Sequence, residues 1–377
     1  MGRRDAIGHA IRAARTDRGW TQAELGDRAG CDQATVSRVE RNQTADPGTL
    51  RAIAGSLGLP LALVGLVDLP EEDAERLEHL DRTPRSVDVA AVTALADVLA
   101  ARRRAEDTIG PAPLVRPVLA DLDLVRDLHR HAIRDSVRAA LGELAAEHAQ
   151  FLGWMATDLG EPHRAAQWYG QALGWTRAPA MTVSVLSMSS HLAAGRGEPA
   201  DATALAESGW TYAGRTPPGV LALLAQQQAR ACAMLRDRAA TDRLFARAAV
   251  LAARAVEHAG DEPPWTYFNA PARLLMQRGV AYTSLGLGDE AVGLIRAGID
   301  ALPKAMQRDR GWHLARLAHA HAVAGDVPEA ASIAGQAAII AAGTASAHTW
   351  REIGTARRLL SPWDRDPAVR ALDVLLA

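Results

Sequence analysis

The residues with the most specific chemistry form one short run, Gln33-Ala34-Thr35-Val36-Ser37-Arg38-Val39-Glu40. At helical spacing Val36 and Val39 share an inward side, which leaves Gln33, Ala34, Ser37 and Arg38 facing outward. A carboxamide pairs bidentately with adenine, a guanidinium with guanine, and a small alanine can meet the thymine methyl. With Thr35 counted among them, these are the candidate contacts of a helix that reads double-stranded DNA in the major groove.

Such a helix needs a rigid partner and a defined entry. Residues 20–40 read as two short helices across a tight turn. Thr21 and Glu24 have the spacing of a capping box, with the hydroxyl and the carboxylate each accepting from a free N–H. Trp20 and Leu25 flank that cap as a hydrophobic staple, Gly30 suits a left-handed helix end, and Asp32 can cap the second helix. Ile7, Ile11 and Ala14 supply a stripe from a preceding helix that Gly19 ends. Asp46-Pro47-Gly48-Thr49 starts another helix, whose Leu50, Ile53, Ala54 and Leu57 return to the same core. The polar loop Arg41-Asn42-Gln43-Thr44 lies beside the reading helix and has a composition suited to phosphate.

Residues 5–64 resemble the five-helix DNA-binding domain of lambda-type phage repressors and xenobiotic-response-element (XRE) regulators. The motifs that carry the resemblance are Ile7-x3-Ile11-Arg12-x2-Arg15, Trp20-Thr21-Gln22-x-Glu24-Leu25, Thr35-Val36-Ser37-Arg38-x-Glu40 and Leu50-x2-Ile53-Ala54-x2-Leu57-Gly58. It implies that Gln22 contacts phosphate and braces Gln33, that Arg15 and Glu40 form a partly buried pair, and that Arg41 to Thr44 touch the DNA backbone. It also implies a homodimer on a two-fold site.

The chain has 377 residues, more than one core usually serves, so two or more modules are expected. Residues 1–65 hold nine Arg against seven acidic residues, whereas 66–110 hold six against eleven, so a mildly basic head precedes an acidic spacer. Within that spacer, Val87 to Leu99 has a helical pattern that ends in Arg102-Arg103-Arg104, read here as a solvated helix end before Gly110. Lys304 is the sole lysine, so arginine must serve phosphate as well as bases. The start of the chain lacks a secretory pattern, no run of 18 apolar residues exists, and Cys31 and Cys232 are too few for a disulfide framework. A cytoplasmic protein without membrane segment, metal or cofactor is the expectation.

From about residue 118 the chain is helical and repetitive. A small residue, a turn, then alanine and bulky residues recur, most clearly in Leu159-Gly160-Glu161-Pro162-His163-Arg164-Ala165-x2-Trp168-Tyr169-x2-Ala172-Leu173. Further turns are placed at Gly197, Arg236, Gly286 and Gly325. Gly153, Gly160, Ala165, Tyr169 and Ala172 match the small, turn and Ala-Tyr-Ala positions of the tetratricopeptide repeat, which this region is similar to. Helix pairs of this kind bury their apolar sides only by stacking, and a concave inner face follows. The widest spacing holds Gly260 to Pro271, where Trp265, Tyr267 and Phe268 cluster. Either they wall a groove, with Asn269, Arg273 and Arg278 as polar partners of a ligand, or they plug a gap between repeats. Trp154, Trp168, Tyr169 and Trp175 read as core, and residues 344–377 as a cap.

The fold class expected is all-α: residues 1–66 a helix-turn-helix head, 67–117 a linker and connecting helix, and 118–377 a tetratricopeptide-like solenoid. No catalytic constellation is present: Walker loop, dinucleotide glycines, nucleophile elbow and zinc-protease pair are all missing. The whole resembles helix-turn-helix regulators with tetratricopeptide domains, including the peptide-sensing quorum regulators of Gram-positive bacteria. That resemblance implies a dimer whose repeats hold a peptide, small-molecule or protein effector. The alternative is a protein-interaction adaptor whose head docks on a protein instead of DNA.

Overall fold

A computed structural model of the chain describes residues 8, 11, 12, 14–41, 43, 47–59, 61, 67, 69–267, 271–302, 306–344 and 346–376. Every element among them is helical, and the chain divides into two compact units, 1–144 and 145–377. Among the described residues no helix is long and apolar enough to cross a membrane.

In the first unit a helical segment ends at residue 17 and is followed by α1 (Gln22–Ala29), α2 (Gln33–Glu40) and α3 (Pro47–Ser56). Ile11, Leu25, Val36, Val39, Ile53, Ala54 and Leu57 are fully or almost fully buried together, with Trp20, Ala29 and Leu50 packed around them. These are the positions the helical periodicity selects. Ile7 and the fifth helix expected near residue 64 lie outside the described residues. Three further helices complete this unit up to the start of α7: α4 (Glu71–Arg82), α5 (Val89–Ile109) and α6 (Val115–His131). The arginine triplet is not a solvated helix end. α5 continues to Ile109, so Arg102 and Arg103 lie within it; both are buried, and Arg102 pairs with Asp121 of α6 at 3.1 Å.

The helix α7 (Asp135–Asp158) carries the boundary between the units. Beyond it, helices alternate in a regular order. Inner helices α9 (Pro179–Gly195), α11 (Pro218–Met234), α13 (Pro271–Leu285), α15 (Gln307–Ala324) and α17 (Ala347–Leu359) are each followed by an outer one. The outer set is α8 (Pro162–Trp175), α10 (Pro199–Gly209), α12 (Arg238–Glu257), α14 (Gly288–Asp300), α16 (Val327–Thr344) and α18 (Pro367–Leu376), with α8 paired to α7. The inner helix α11 is enclosed on all sides: nearly the whole of 219–233 is buried. An outer helix such as α12 buries one stripe, Thr241, Phe245, Ala248 and Leu251, and leaves the rest in water. The expected cap at 344–377 is therefore a sixth helix pair.

Each of the first five pairs is closed by one residue in the left-handed region. Gly160, Gly197, Gly286 and Gly325 have φ of 75°, 80°, 82° and 86°, and the fifth such turn is made by Arg236 at 65°. These five are the turn positions read from the sequence. Arg236 is the one non-glycine residue with positive φ among the described residues. Small residues also let the paired helices approach: a Cβ on Gly153 would fall 2.4 Å from the Tyr169 ring, which occupies that space.

A left-handed conformation costs an L-residue about 1–2 kcal/mol. Nothing lies within 4 Å of a Cβ built on Gly197, so Gly197→Ala isolates this backbone cost and should lower stability by about that amount. Arg236→Gly should leave stability unchanged or raise it, since relief of strain opposes only the added freedom of the unfolded chain. Thermal unfolding of the two variants beside the parent protein checks both signs.

Candidate functional site

The reading helix is fixed before it meets any ligand. The capping box is complete: the Thr21 N–H donates to Glu24 Oε2 at 2.6 Å and the Glu24 N–H to Thr21 Oγ1 at 3.2 Å. Gly30 ends α1 at φ 68°, and Asp32 caps α2 by accepting from the Thr35 N–H at 2.7 Å. These bonds to backbone and hydroxyl donors hold the Glu24 and Asp32 carboxyls below their usual pKa. Gly26 went unnoticed in the sequence, yet a Cβ there would sit 2.6 Å from the Cys31 carbonyl. The tightness of the turn depends on it.

Across the core, Arg15 clamps the far end of α2. Its Nε and Nη2 donate to the two Glu40 oxygens at 2.5 and 3.1 Å, while Nη1 donates to the Trp20 carbonyl at 2.6 Å. Side-chain exposure is 13% for Arg15 and 4% for Glu40, and the bond to Glu40 raises the arginine's pKa further. Gln22 completes the cluster, donating to Glu40 Oε2 at 2.8 Å. Its amide thus braces Glu40 and not Gln33.

On the outer side Gln33, Ala34 and Arg38 are exposed, and Thr35 and Ser37 half-buried. Arg38 Nη2 donates to Thr35 Oγ1 at 2.7 Å, which lays the guanidinium along the exposed face. Arg41 is exposed and donates from Nε to the Ser37 carbonyl at 3.2 Å; Gln43 is exposed; Asn42 and Thr44 lie outside the described residues. An amide, a methyl and a guanidinium are therefore presented together on a rigid helix, the set that base edges can pair with.

The aromatic insertion is divided. Trp265 is half-buried against the core around Tyr169, Met181 and Met188, the plug alternative. Tyr267 is 42% exposed and lines a separate hollow of about 370 Å³ with Val256 and Glu262. Arg273 pairs with Asp309 at 3.0 Å, whereas Arg278 donates to the Tyr282 hydroxyl at 2.6 Å. Phe268 and Asn269 lie outside the described residues. The structure does not gather the described members of this group into one site.

What sequence reasoning missed is the inner face of the repeats. It holds aromatic rings, imidazoles and arginines. Trp312 meets His348 edge-on with centroids 4.5 Å apart, and Trp154 and His191 lie 6.1 and 6.0 Å from it. His191 Nδ1 lies 2.8 Å from Arg230 Nη1 and 3.2 Å from Gln227 Oε1, between a donor and an amide. Asp158 of α7 accepts from Ser346 Oγ at 2.6 Å and lies 3.5 Å from Arg308, so the first helix of this unit meets the last ones. Beside them burial opposes the charge of Asp309, but Arg308 and Arg273 outweigh it and hold the acid at about 2. Burial also keeps His191 and His313 neutral and takes His348 to about 3. No local motif announces this cluster, because its members come from five helices.

Comparison with known proteins supports the reading of the head. The family described as Helix-turn-helix matches residues 11–64. Residues 11–64 are a helix-turn-helix domain. No curated protein sequence matches the chain. Among solved structures, BtubC (BKLC) from P. vanneervenii is 18% identical with a TM-score of 0.41, over 62% of this chain and 91% of that one. PlcR from Bacillus thuringiensis, solved with the peptide PapR7 and DNA, is 14% identical with a TM-score of 0.31, over 68% and 97%. The competence regulator ComR from Streptococcus vestibularis in apo form is 12% identical with a TM-score of 0.30, over 82% and 97%.

Two outcomes follow from this geometry. Arg15→Met strands the Glu40 carboxylate, and its cost should fall between the about 1 kcal/mol of an exposed pair and the about 3–5 kcal/mol of a buried one. Pairing it with Glu40→Leu should restore much of the loss. Hydrogen exchange of residues 14–41 in the full chain reads this locally.

The second outcome is a pH dependence of unit 145–377. The folded pKa of His348 lies well below the unfolded value of 6.5, and His191 and His313 shift the same way. Below 6.5 the unfolded chain therefore binds more protons, and stability falls with pH. The loss should approach about 1.4 kcal/mol per pH unit for each imidazole. Urea unfolding at pH 7.5 and pH 5 measures it; equal midpoints would mean that the three rings take up protons in the fold as they do in the unfolded chain.

Proposed function

We propose that the protein is a sequence-specific transcription regulator that binds double-stranded DNA as a homodimer, with the repeat unit as its dimerisation and effector-sensing module. The observation that carries the reading is the reading helix itself. α2 is capped by Asp32, clamped by Arg15 through Glu40, and presents Gln33, Ala34 and Arg38 outward, exposed among the described residues. Gln33 pairs with adenine and Arg38 with guanine; Ser37, Thr35 and the loop from Arg41 to Thr44 serve phosphate. Gln22 acts through Glu40, setting the angle at which α2 enters the groove.

Dimerisation gives two heads, whose spacing must match half-sites about 34–36 Å apart or a multiple of it. Occupancy of the repeat unit changes DNA binding only by as much as the effector prefers one arrangement of the heads over another. A hundredfold preference is about 2.7 kcal/mol.

Selection of bound fragments from genomic DNA, followed by gel shifts on the strongest, tests the proposal. Gln33→Ala and Arg38→Ala should each cost about 1–3 kcal/mol on the selected site and relax one base position. Gln22→Ala should weaken binding to most sequences alike. Affinity should fall steeply with salt as phosphate counterions are released. Undiminished binding by both reading-face variants would move the interface elsewhere. Absence of any salt-dependent DNA binding would leave the adaptor reading.

A further inference from the structure

The least satisfied charge among the described residues lies inside the repeat unit. Arg316 of α15 is 2% exposed, and none of its three guanidinium nitrogens has a hydrogen-bond acceptor. Its nearest carboxylate oxygen, Glu352 Oε1, stands 3.7 Å from Nε. The guanidinium lies 3.8 Å above the Trp312 ring. A buried guanidinium held only by one long ion pair and a ring face is costly, because its N–H donors are left without close acceptors.

Arg316 borders a cavity of about 310 Å³ whose other charged and titratable walls are Arg230, His319, His348, Arg351 and Glu352. A smaller hollow of about 190 Å³ shares Gly195, His348 and Arg351 with it. Three guanidiniums face one carboxylate, and that carboxylate is divided between Arg316 and His319, at 3.7 and 3.8 Å. Arg230 is 9% exposed and spends one donor on His191, with no ion pair among the described residues. The charge of such a space suits an acceptor-rich anion. Its volume is at the low end of the about 300–1,000 Å³ typical of small-molecule sites, too little for a polypeptide segment.

From these observations we propose that the cavity between α9, α11, α13, α15 and α17 is a binding site for the oxyanion of a small metabolite, a carboxylate or a phosphate. Arg316 and Arg230 hold the oxyanion from the buried side, and Arg351 closes over it from the rim. Guanidinium forks suit both oxyanions, since each offers paired oxygens at matching spacing. The assignment of this ligand as the effector rests on the sensing role proposed above; the site itself does not.

Calorimetric titration and thermal unfolding of the full chain test it, with inorganic phosphate, glycerol 3-phosphate, succinate and the neutral control succinamide at matched ionic strength. A phosphate or a carboxylate should bind saturably and raise the melting temperature with concentration, while succinamide does nothing. Response to the phosphates alone or to succinate alone identifies the oxyanion. Arg316→Gln and Arg351→Gln should each weaken binding at least tenfold. Arg316→Gln should also leave the ligand-free melting temperature unchanged or raised, whereas a purely structural arginine would lower it. Lack of a saturable response to every anion overturns the site, as does full binding by both variants. Binding that leaves DNA affinity untouched upholds the site and overturns its role as a sensor.

Discussion

The DNA-facing half of the molecule depends on one carboxylate. Glu40 sits at the end of the reading helix and collects donors from the two helices before it, Arg15 from the first and Gln22 from the second. Caps and turns fix how α2 begins, but a helix of eight residues is too short to hold its own direction. Glu40 supplies the missing constraint. Its partners are an arginine fork, which is directional, and an amide, which satisfies the remaining oxygen lone pairs. The result is that the exposed Gln33 and Arg38 are aimed by a carboxylate at the far end of their helix.

The second unit solves a different problem, that of holding six helix pairs together with little aromatic mass. Outer helices use alanine stripes, as in α16, where Ala330, Ala334, Ala337 and Ala341 are fully buried. Small side chains bring backbones close, and a left-handed turn within each of the first five pairs keeps them in step. The inner face then receives what the outer layer does not hold. Trp154, Trp312, His191, His348, Arg230 and Arg316 converge there, and their charges are only partly answered. Buried cations without full pairing cost stability, and here that cost is concentrated on the inner face.

Much of the head was legible in the sequence because its signals are local. Thr21 with Glu24, Gly30 and Asp32 each announce a helix end within a few residues, and the structure forms every one of these caps. The repeat turns were legible for the same reason, even at Arg236, where position outweighed residue type. Gly26 was overlooked because a glycine inside a helix has no signature until the chain that crosses it is known. Arg102 and Arg103 misled because a charge run reads as solvated, whereas Asp121 on the next helix draws Arg102 inward. Trp265 was assigned by its neighbours in sequence, but its packing partners lie around Tyr169, far along the chain. The inner-face cluster was illegible altogether, since no two of its helices carry a shared motif.

The hydrogen bond from Ser346 to Asp158 spans 188 residues. Asp158 and Trp154 belong to the first helix of their unit, while Arg308, Trp312, Ser346 and His348 come from its last ones. During synthesis the head can complete its own core as soon as it leaves the ribosome, because its contacts are short-range. The repeat unit has no such freedom. Its first inner helix emerges with a carboxylate and an indole whose partners are made last, so closure of the unit waits for the end of translation. A nascent chain would thus hold a finished helix-turn-helix head for as long as it takes to build the whole repeat unit.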